Sequence, residues 1–509
     1  MAQARSSQQM LYTAAQCREL DRVAIEDHGM AGFDLMQRAG RAAFRVLTQR
    51  WPEAASITVC CGKGNNAGDG YLVAGLAHQA GLRVTLVQLG DAADLRGDAA
   101  RARDWAVSLG VEAQAGPPAT IDGAVVVDAL LGTGIEGELR PAFAETAARI
   151  NDCGRPVLAI DMPTGVSADT GAVTEHAVRA AVTVTFIGRK LGLHTGPAVS
   201  HAGAVVFDDL GVPGAVHRAV TGGCPWLHYD TLPDAWRLPA RDANVHKHAL
   251  GHLVVVGGDH SMGGAPLMAA EAALRCGAGM VSVITRACHR PAILARRPEV
   301  MVVDADDAAL RGAVLGKATT LVVGPGLGQT PWGEALLREA LESGLPAVLD
   351  ADGLNLFASL GTVARGPLVV TPHPGEAGRL LGSNGADIQA DRPAAARALT
   401  ERLSAAVVLK GAGSLVAAPG VDGRAELLGL CAHGNPGMAS AGMGDVLSGV
   451  IGALLAQGLE SPAAAAAGTC LHSYAADRAA DVLGQRGLLA TDLLDYLLDI
   501  LRREAPAAR

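Results

Sequence analysis

The sequence has no G-x-x-x-x-G-K-[ST] loop, no C-x-x-C pair, no long run of like charge and no uninterrupted apolar stretch of membrane-spanning length. Each absence removes a class of function. Lacking the first, the chain is not a P-loop nucleotide enzyme. Its nine cysteines, Cys17, Cys60, Cys61, Cys153, Cys224, Cys276, Cys288, Cys431 and Cys470, are odd in number and scattered, which fits reduced thiols and not a disulfide framework. Cys60 and Cys61 close a predicted strand, where neighbouring side chains point to opposite faces, and read as buried structural thiols. The formal net charge of -9 comes without single-sign tracts, which speaks for solubility and against a nucleic-acid partner. Residues 451–470 are Ala-rich but broken by Gln457, Glu460, Ser461 and Pro462, the wrong pattern for a membrane span. The first ten residues are polar, without the apolar segment of a secretory signal. A cytoplasmic protein without a membrane partner is expected.

At 509 residues the chain is too long for one core, and two to four domains are expected. Its most informative stretch is Asn435-Pro436-Gly437-Met438-Ala439-Ser440-Ala441-Gly442-Met443-Gly444-Asp445, which runs into an apolar helix pattern from Val446. The glycines leave backbone N–H groups uncovered beside a helix start, where phosphate is favoured. A carboxylate is a poor phosphate ligand, so Asp445 suits removal of a proton from a substrate hydroxyl, or orientation of a metal ion. The plainer alternative is a tight turn with Asp445 as a helix cap.

In the first half, Thr13 and Gln16 have capping-box form and predict a helix over 14–27, followed by another over 33–49. These lead-in helices suggest packing or dimerisation, hence a homo-oligomer, and carry no visible chemistry. The strand 56–61, the glycine loop 62–70 and a helix to residue 79 outline a dinucleotide-binding arrangement, although the spacing is wrong for G-x-G-x-x-G. Asn65, Asn66 and Asp69 are expected inside that loop, where they could coordinate a cation, hold a polar ligand, or simply favour a turn. Buried strands expected at 83–89, 124–131, 156–163 and 181–187 predict a doubly wound parallel sheet with ligands beyond the carboxyl ends of its strands. Asp128 and Asp161 fall at such ends. Asn66, Asp128 and Thr164 offer oxygen ligands from three loops, leaving Asp161 as an acid or base. Lys190 could close the pocket or be a solvated surface residue.

Taken in order, Asn65-Asn66-Ala67-Gly68-Asp69-Gly70, Asp128-Ala129-Leu130-Leu131-Gly132-Thr133-Gly134 and Asp161-Met162-Pro163-Thr164-Gly165-Val166 resemble the NAD(P)HX epimerase family over about residues 12–213. The resemblance implies a Rossmann-like three-layer domain that interconverts the R and S forms of nicotinamide nucleotides hydrated at ring carbon 6. It implies that Asn65, Asn66, Ala67, Gly68 and Asp69, then Gly132, Thr133, Gly134, Ile135, Glu136, Gly137 and Glu138, and Asp161, contact the hydrate. Asn66, Asp128 and Thr164 would hold a potassium ion. Ala67 and Thr164 depart from the usual pattern. Threonine keeps the hydroxyl oxygen, whereas Ala67 would narrow the pocket if its position required a positive φ.

Between 211 and 242 the alternation of strand and helix lapses into Pro213, Pro225, Pro233 and Pro239 with Trp226 and Trp236. We place domains at 1–222 and 242–509 with a linker at 223–241; the tryptophans argue that the linker packs. The second half resumes with strands expected from 252, then at 280–285, 300–304, 320–323, 347–350, 368–371 and 406–409. Polar loops follow several of them: Gly324-Pro-Gly326-Leu-Gly328, Asp350-Ala-Asp352, Thr371-Pro-His373-Pro-Gly-Glu376 and Lys410-Gly411-Ala412-Gly413-Ser414. Glycine-loop amides that neutralise a migrating phosphoryl group, with an aspartate beside them, follow the logic of a small-molecule kinase site.

The last two of these loops and the 435–445 motif resemble, over about residues 245–501, the ADP-dependent NAD(P)HX dehydratases, which have a ribokinase-like α/β fold. With the first half, the resemblance extends to bifunctional NAD(P)H-hydrate repair enzymes along nearly the whole chain. It implies that Ala265, Gly326, His373 and Asp445 touch NADHX or NADPHX. Lys410 to Ser414 and Asn435 to Gly444 would hold the co-substrate ADP, accompanied by Mg2+. The rival readings are a sugar or vitamin kinase fused to a nucleotide-binding regulatory domain, which shares the scaffold, and a non-catalytic cofactor-sensing module.

Overall fold

Short runs of Val, Ile, Leu and Thr build the first sheet: β1 (Ser56–Cys61), β2 (Arg83–Gln88), β3 (Ala113–Ala115), β4 (Val125–Ala129), β5 (Val157–Ile160), β6 (Val182–Phe186) and β7 (Ala204–Asp208). They pair in parallel in the order β3-β2-β1-β4-β5-β6-β7. Every residue of β1, β4, β5 and β6 is buried, as expected of parallel strands covered on both faces. The strand order reverses between β1 and β4, which opens a crevice at their carboxyl ends. The loops after β1, β4 and β5 are the three singled out from sequence.

The computed structural model describes residues 9–134, 137–361 and 363–504 and divides between Pro225 and Trp226 into two units. The first helix has the anticipated Thr13/Gln16 capping box and runs over Ala14–Arg22, continuing as a wider turn over Val23–Asp27; the second spans Gly32–Arg50. Two strands of this seven-stranded sheet were not anticipated. β3 is a three-residue, exposed Ala-Gln-Ala edge without hydrophobic alternation, and β7 starts after Gly203, whose φ is +58°. Helix α1 covers Asn65–Gln79, so Asn65, Asn66 and Asp69 lie in its first turns and not in a loop. Ala67 has no positive φ there, which removes the concern about pocket narrowing. All nine cysteines are free, Cys60 and Cys61 being fully buried.

The second unit contains β8 (His252–Val256), β9 (Met280–Thr285), β10 (Met301–Asp304), β11 (Thr320–Val323), β12 (Ala347–Leu349), β13 (Leu368–Val370) and β14 (Ala406–Leu409), all parallel, then the antiparallel β15 (Leu415–Pro419) and β16 (Ala425–Cys431). Their order is β10-β9-β8-β11-β12-β13-β14-β15-β16. The β15/β16 hairpin escaped sequence reading because Ala417, Ala418, Pro419 and Gly429 dilute any strand signal. Leu227, Tyr229 and Leu232 are buried in this unit's core, with Trp236 packed against it.

Four helices position the second site: α2 (Gly264–Arg275), α3 (Pro374–Leu381), α4 (Met443–Ala456) and α5 (Ser461–Leu483). α4 is buried all round from Val446 to Ala456. Glycine makes this possible, since a Cβ on Gly449 would lie 2.1 Å from the Ala269 carbonyl of α2, and one on Gly468 of α5 would lie 2.6 Å from Ile451. Such close packing fixes the start of α4, where Asp445 sits. Among the described residues no helix is long and apolar enough to cross a membrane.

Candidate functional site

The first constellation gathers where β1, β4, β5 and β6 end. Asp161 follows β5 with φ +65°, an uncommon backbone for a non-glycine residue and one that clusters at functional sites. Its N–H donates to Val184 O at 2.7 Å. Asp161 Oδ1 accepts from Thr185 Oγ1 at 3.2 Å and from Lys190 Nζ, which also donates to Phe186 O at 3.1 Å. Lys190 is only 3% exposed, so it is a buried counter-ion and not a solvated surface residue. Asp161 Oδ2 lies 3.5 Å from where a Cβ on Gly132 would sit, and Asn66 Cβ lies 3.6 Å from the same point. Asn66, Gly132 and Asp161 therefore converge.

The Asn66 amide is buried, with neither Oδ1 nor Nδ2 hydrogen-bonded, a costly state unless a ligand supplies partners. Asp69 is on the same face of α1, one turn on. Burial pushes its carboxyl well above the usual range, Asp161 and Asp21 add to the effect, and Lys190 opposes it. Asp21 belongs to the Ala14–Arg22 helix, and its carboxyl is pushed up to about 6 by desolvation, with Lys190 opposing and Asp161 adding. Asp21 itself is solvent-exposed. The apolar periodicity of that helix gave no sign of Asp21's neighbours, which come from distant loops.

Asp128, buried at the end of β4, accepts Thr164 N at 2.8 Å, Thr164 Oγ1 at 2.8 Å and Leu130 N at 3.2 Å. Burial lifts its carboxyl to about 6 against those hydrogen bonds. Among the described residues no group of three or more His, Cys, Asp and Glu side chains could hold a metal ion. Asn66, Asp128 and Thr164, of which the last two are hydrogen-bonded to each other, would make a different donor set, one carboxylate with neutral oxygens, of the kind that takes a hard cation. The unsatisfied amide of Asn66 fits such a ligand. Gly68 does packing instead: a Cβ there would lie 2.7 Å from Met36 Sδ and 2.9 Å from Ala99 Cα. Asn65, Gly134, Gly137 and Glu138 are exposed, whereas Ile135 and Glu136 lie outside the described residues.

The second constellation lies at the start of α4. Gly442, with φ +89°, turns the chain into the helix, and α4 begins without a side-chain cap, which leaves first-turn N–H groups open to an anion. No hydrogen bond reaches the Asp445 side chain among the described residues. Burial pushes its carboxyl up to about 7, reinforced by Asp350 and Asp352 and opposed by Lys410. Lys410 Nζ donates to Asp350 Oδ1 at 2.6 Å and lies 3.8 Å from Glu376 Oε2. Burial alone would lower its proton affinity, but Asp350 and Glu376 raise it. His373 caps α3: Nδ1 accepts Gly375 N at 3.0 Å, while Glu376 Oε2 accepts His373 N at 2.8 Å. Burial, then Lys410, keep the imidazole below its ordinary proton affinity. Ala265 and Gly326 also meet, for a Cβ on Gly326 would lie 3.3 Å from Ala265 Cβ.

Both glycine loops rest on residues that sequence reading overlooked. Asp477 of α5 accepts Gly434 N at 3.0 Å and Asn435 Nδ2 at 3.0 Å, and Asn435 Oδ1 accepts Gly437 N at 3.0 Å. Arg392, fully buried, donates to Leu409 O at 3.2 Å and Lys410 O at 3.3 Å beneath the 410–414 loop. A Cβ on Gly411 would strike its guanidinium at 2.9 Å. An isolated arginine in an Ala-rich helix carries no sequence sign of this role. Ser414 Oγ donates to Gly411 O at 3.2 Å, and Ser440 Oγ to Leu488 O at 3.1 Å.

Residues 253–499 match the family described as NAD(P)H-hydrate dehydratase, and residues 32–192 match the family described as YjeF-related protein N-terminus. The chain is 46% identical to a bifunctional NAD(P)H-hydrate repair enzyme of Coxiella burnetii, over 96% of this chain and 98% of that one. It is 42% identical to a protein of the same description from Escherichia coli, over 97% and 94%. A ribokinase-like superfamily protein from Enterococcus faecalis superposes with a TM-score of 0.50 at 28% identity, covering 55% of this chain and 96% of that one. The second unit is accordingly ribokinase-like.

Proposed function

We propose, from the premise that the chain belongs to the family of bifunctional NAD(P)H-hydrate repair enzymes, that its two units act on one damaged coenzyme, NADH or NADPH hydrated at ring carbon 6. Residues 1–222 invert the hydroxyl-bearing carbon, and residues 242–509, reached through 223–241, remove water at the expense of ADP.

Hydroxide leaves poorly near neutral pH, whereas a phosphorylated oxygen leaves readily with electrons supplied from the ring nitrogen. Asp445 takes the proton of the hydroxyl. The carbon-6 oxygen then attacks the terminal phosphorus of ADP, which Mg2+ would accompany, and AMP departs. The open N–H groups at the start of α4 stabilise the charge on the transferring phosphoryl group. Phosphate then leaves carbon 6 and a proton leaves carbon 5, restoring the reduced nicotinamide. In this reading Ala265, Gly326 and His373 border the hydrate, while the 410–414 and 435–444 loops hold the nucleotide.

In the first unit Asp161, paired with Lys190, serves as acid or base beside Asn66, Asp69 and Gly132. Asn66, Asp128 and Thr164 would hold potassium, which supplies positive charge to order the loops and ligand. A cytoplasmic setting and a homo-oligomer belong to the same reading. The observation that carries the dehydration is the unpaired carboxyl of Asp445 at an uncapped helix start.

The test is incubation with hydrated NADH and ADP while following reduced-nicotinamide absorbance. Recovery of absorbance with stoichiometric AMP is expected. No recovery, together with phosphorylation of an unrelated sugar or vitamin alcohol, would favour the kinase alternative instead.

A further inference from the structure

One member of the ionic cluster behind Asp445, Asp350, has no part in the reaction as written. Asp350, after β12, is 1% exposed. Its Oδ1 accepts Lys410 Nζ at 2.6 Å and its Oδ2 accepts Ser448 Oγ at 2.8 Å. Ser448 also donates to Gly444 O at 2.9 Å. A Cβ on Gly444 would lie 3.2 Å from Asp350 Oδ2 and 3.3 Å from Lys410 Nζ. The carboxylate therefore lies directly against the turn that carries Asp445. An uncharged acceptor would hold Ser448 equally well, so a fully buried charge here calls for an electrostatic role.

We infer that Asp350 is a positioning residue for dehydration: through Ser448 it fixes the first turn of α4, and its negative charge, shared with Lys410, acts on the proton that Asp445 accepts. This rests on the proposed role of Asp445. The charged and titratable groups around Asp445 are Asp350 and Asp352 after β12 and Lys410 after β14, with Glu376 and His373 beyond Lys410 at the start of α3 and His472 on α5. His472 is buried and held neutral, its proton affinity lowered to about 4 by burial. Asp352 has its own donors, Gly328 N at 2.9 Å and Gln329 Nε2 at 3.1 Å. Asp350 and Lys410 both lie against Gly444, the residue before Asp445; the first raises the Asp445 carboxyl and the second lowers it.

The experiment compares kcat/KM for ADP-dependent dehydration against pH in the full chain, Asp350→Asn and Ser448→Ala. In Asp350→Asn, loss of the repelling charge and release of Lys410 both ease ionisation of Asp445, so the acid limb moves down by on the order of one pH unit. In Ser448→Ala the plateau falls, because the turn is loosened, but the limb stays in place. An active Asp350→Asn enzyme with an unmoved limb would overturn the inference, as would an equal displacement in Ser448→Ala. If Asp350→Asn does not fold, Asp352→Asn replaces it; a smaller downward movement supports the charge argument and none defeats it. Failure of the underlying reading is distinct: the unaltered chain would not dehydrate the hydrate, or Asp445→Asn would still do so.

Discussion

Each unit sets a lysine against an aspartate at the ends of its central strands, but the two pairs are arranged differently. In the first, Lys190 binds Asp161 itself, the carboxylate to which we give the chemistry. In the second, Lys410 binds a neighbour, Asp350, and the candidate base Asp445 is left without a partner. The difference teaches how one device serves two ends. A cation bound directly to a carboxylate fixes its orientation, whereas Asp445, whose neighbouring carboxylate holds the cation, is kept by burial and by Asp350 near the midpoint of its titration at neutral pH.

The sharpest way to break this comparison is Asp445→Asn. Dehydration should fall by about 10²–10⁴-fold, the usual contribution of a positioned base, with R/S interconversion unchanged when each reaction is followed by chromatography of the epimers. Dehydration that persists would remove the contrast between the two units. Lys190→Met should be the next largest effect. Leaving Asp161 without its buried partner should cost about 3–5 kcal/mol, seen as earlier thermal unfolding of the first unit and loss of interconversion, while the epimer accepted by the second unit is still consumed.

The pH profile of dehydration depends on the carboxyl of Asp445. Asp445 must be ionised to accept a proton, and its carboxyl is raised to about 7. Dehydration kcat/KM should therefore rise with pH through about 7 and be lost below it; a profile flat from pH 6 to 8 would contradict the assignment. The smallest expected effect concerns the cation. Potassium chloride in place of sodium chloride should raise the unfolding temperature of the first unit by on the order of a few degrees. In Asn66→Ala that difference should vanish, and an unchanged difference would exclude Asn66 as a ligand.

Much of this arrangement was legible in the chain alone because parallel strands buried on both faces read as continuous apolar runs. β1, β9, β11 and β14 fall on the expected residues for that reason. Two strands did not share this clarity: β3, at a sheet edge, is short, and β15, between β14 and β16, is diluted by alanine and proline, and their pairing is decided by neighbours. The start of α1 was placed late because the run of asparagine, glycine and aspartate from Asn65 favours turns in isolation, yet its packing against Met36 and Ala99 holds it helical.

Local chemistry in the sequence determined which residue types could meet phosphate, a hard cation or a proton, since glycine loops, strand-end carboxylates and helix starts announce themselves by spacing. Tertiary structure decided the charge relations. Whether Lys190 is solvated or buried and which carboxylate Lys410 neutralises depend on strands far apart in sequence brought side by side. Coulomb interaction and desolvation act through space, so their balance exists only once the sheet has formed.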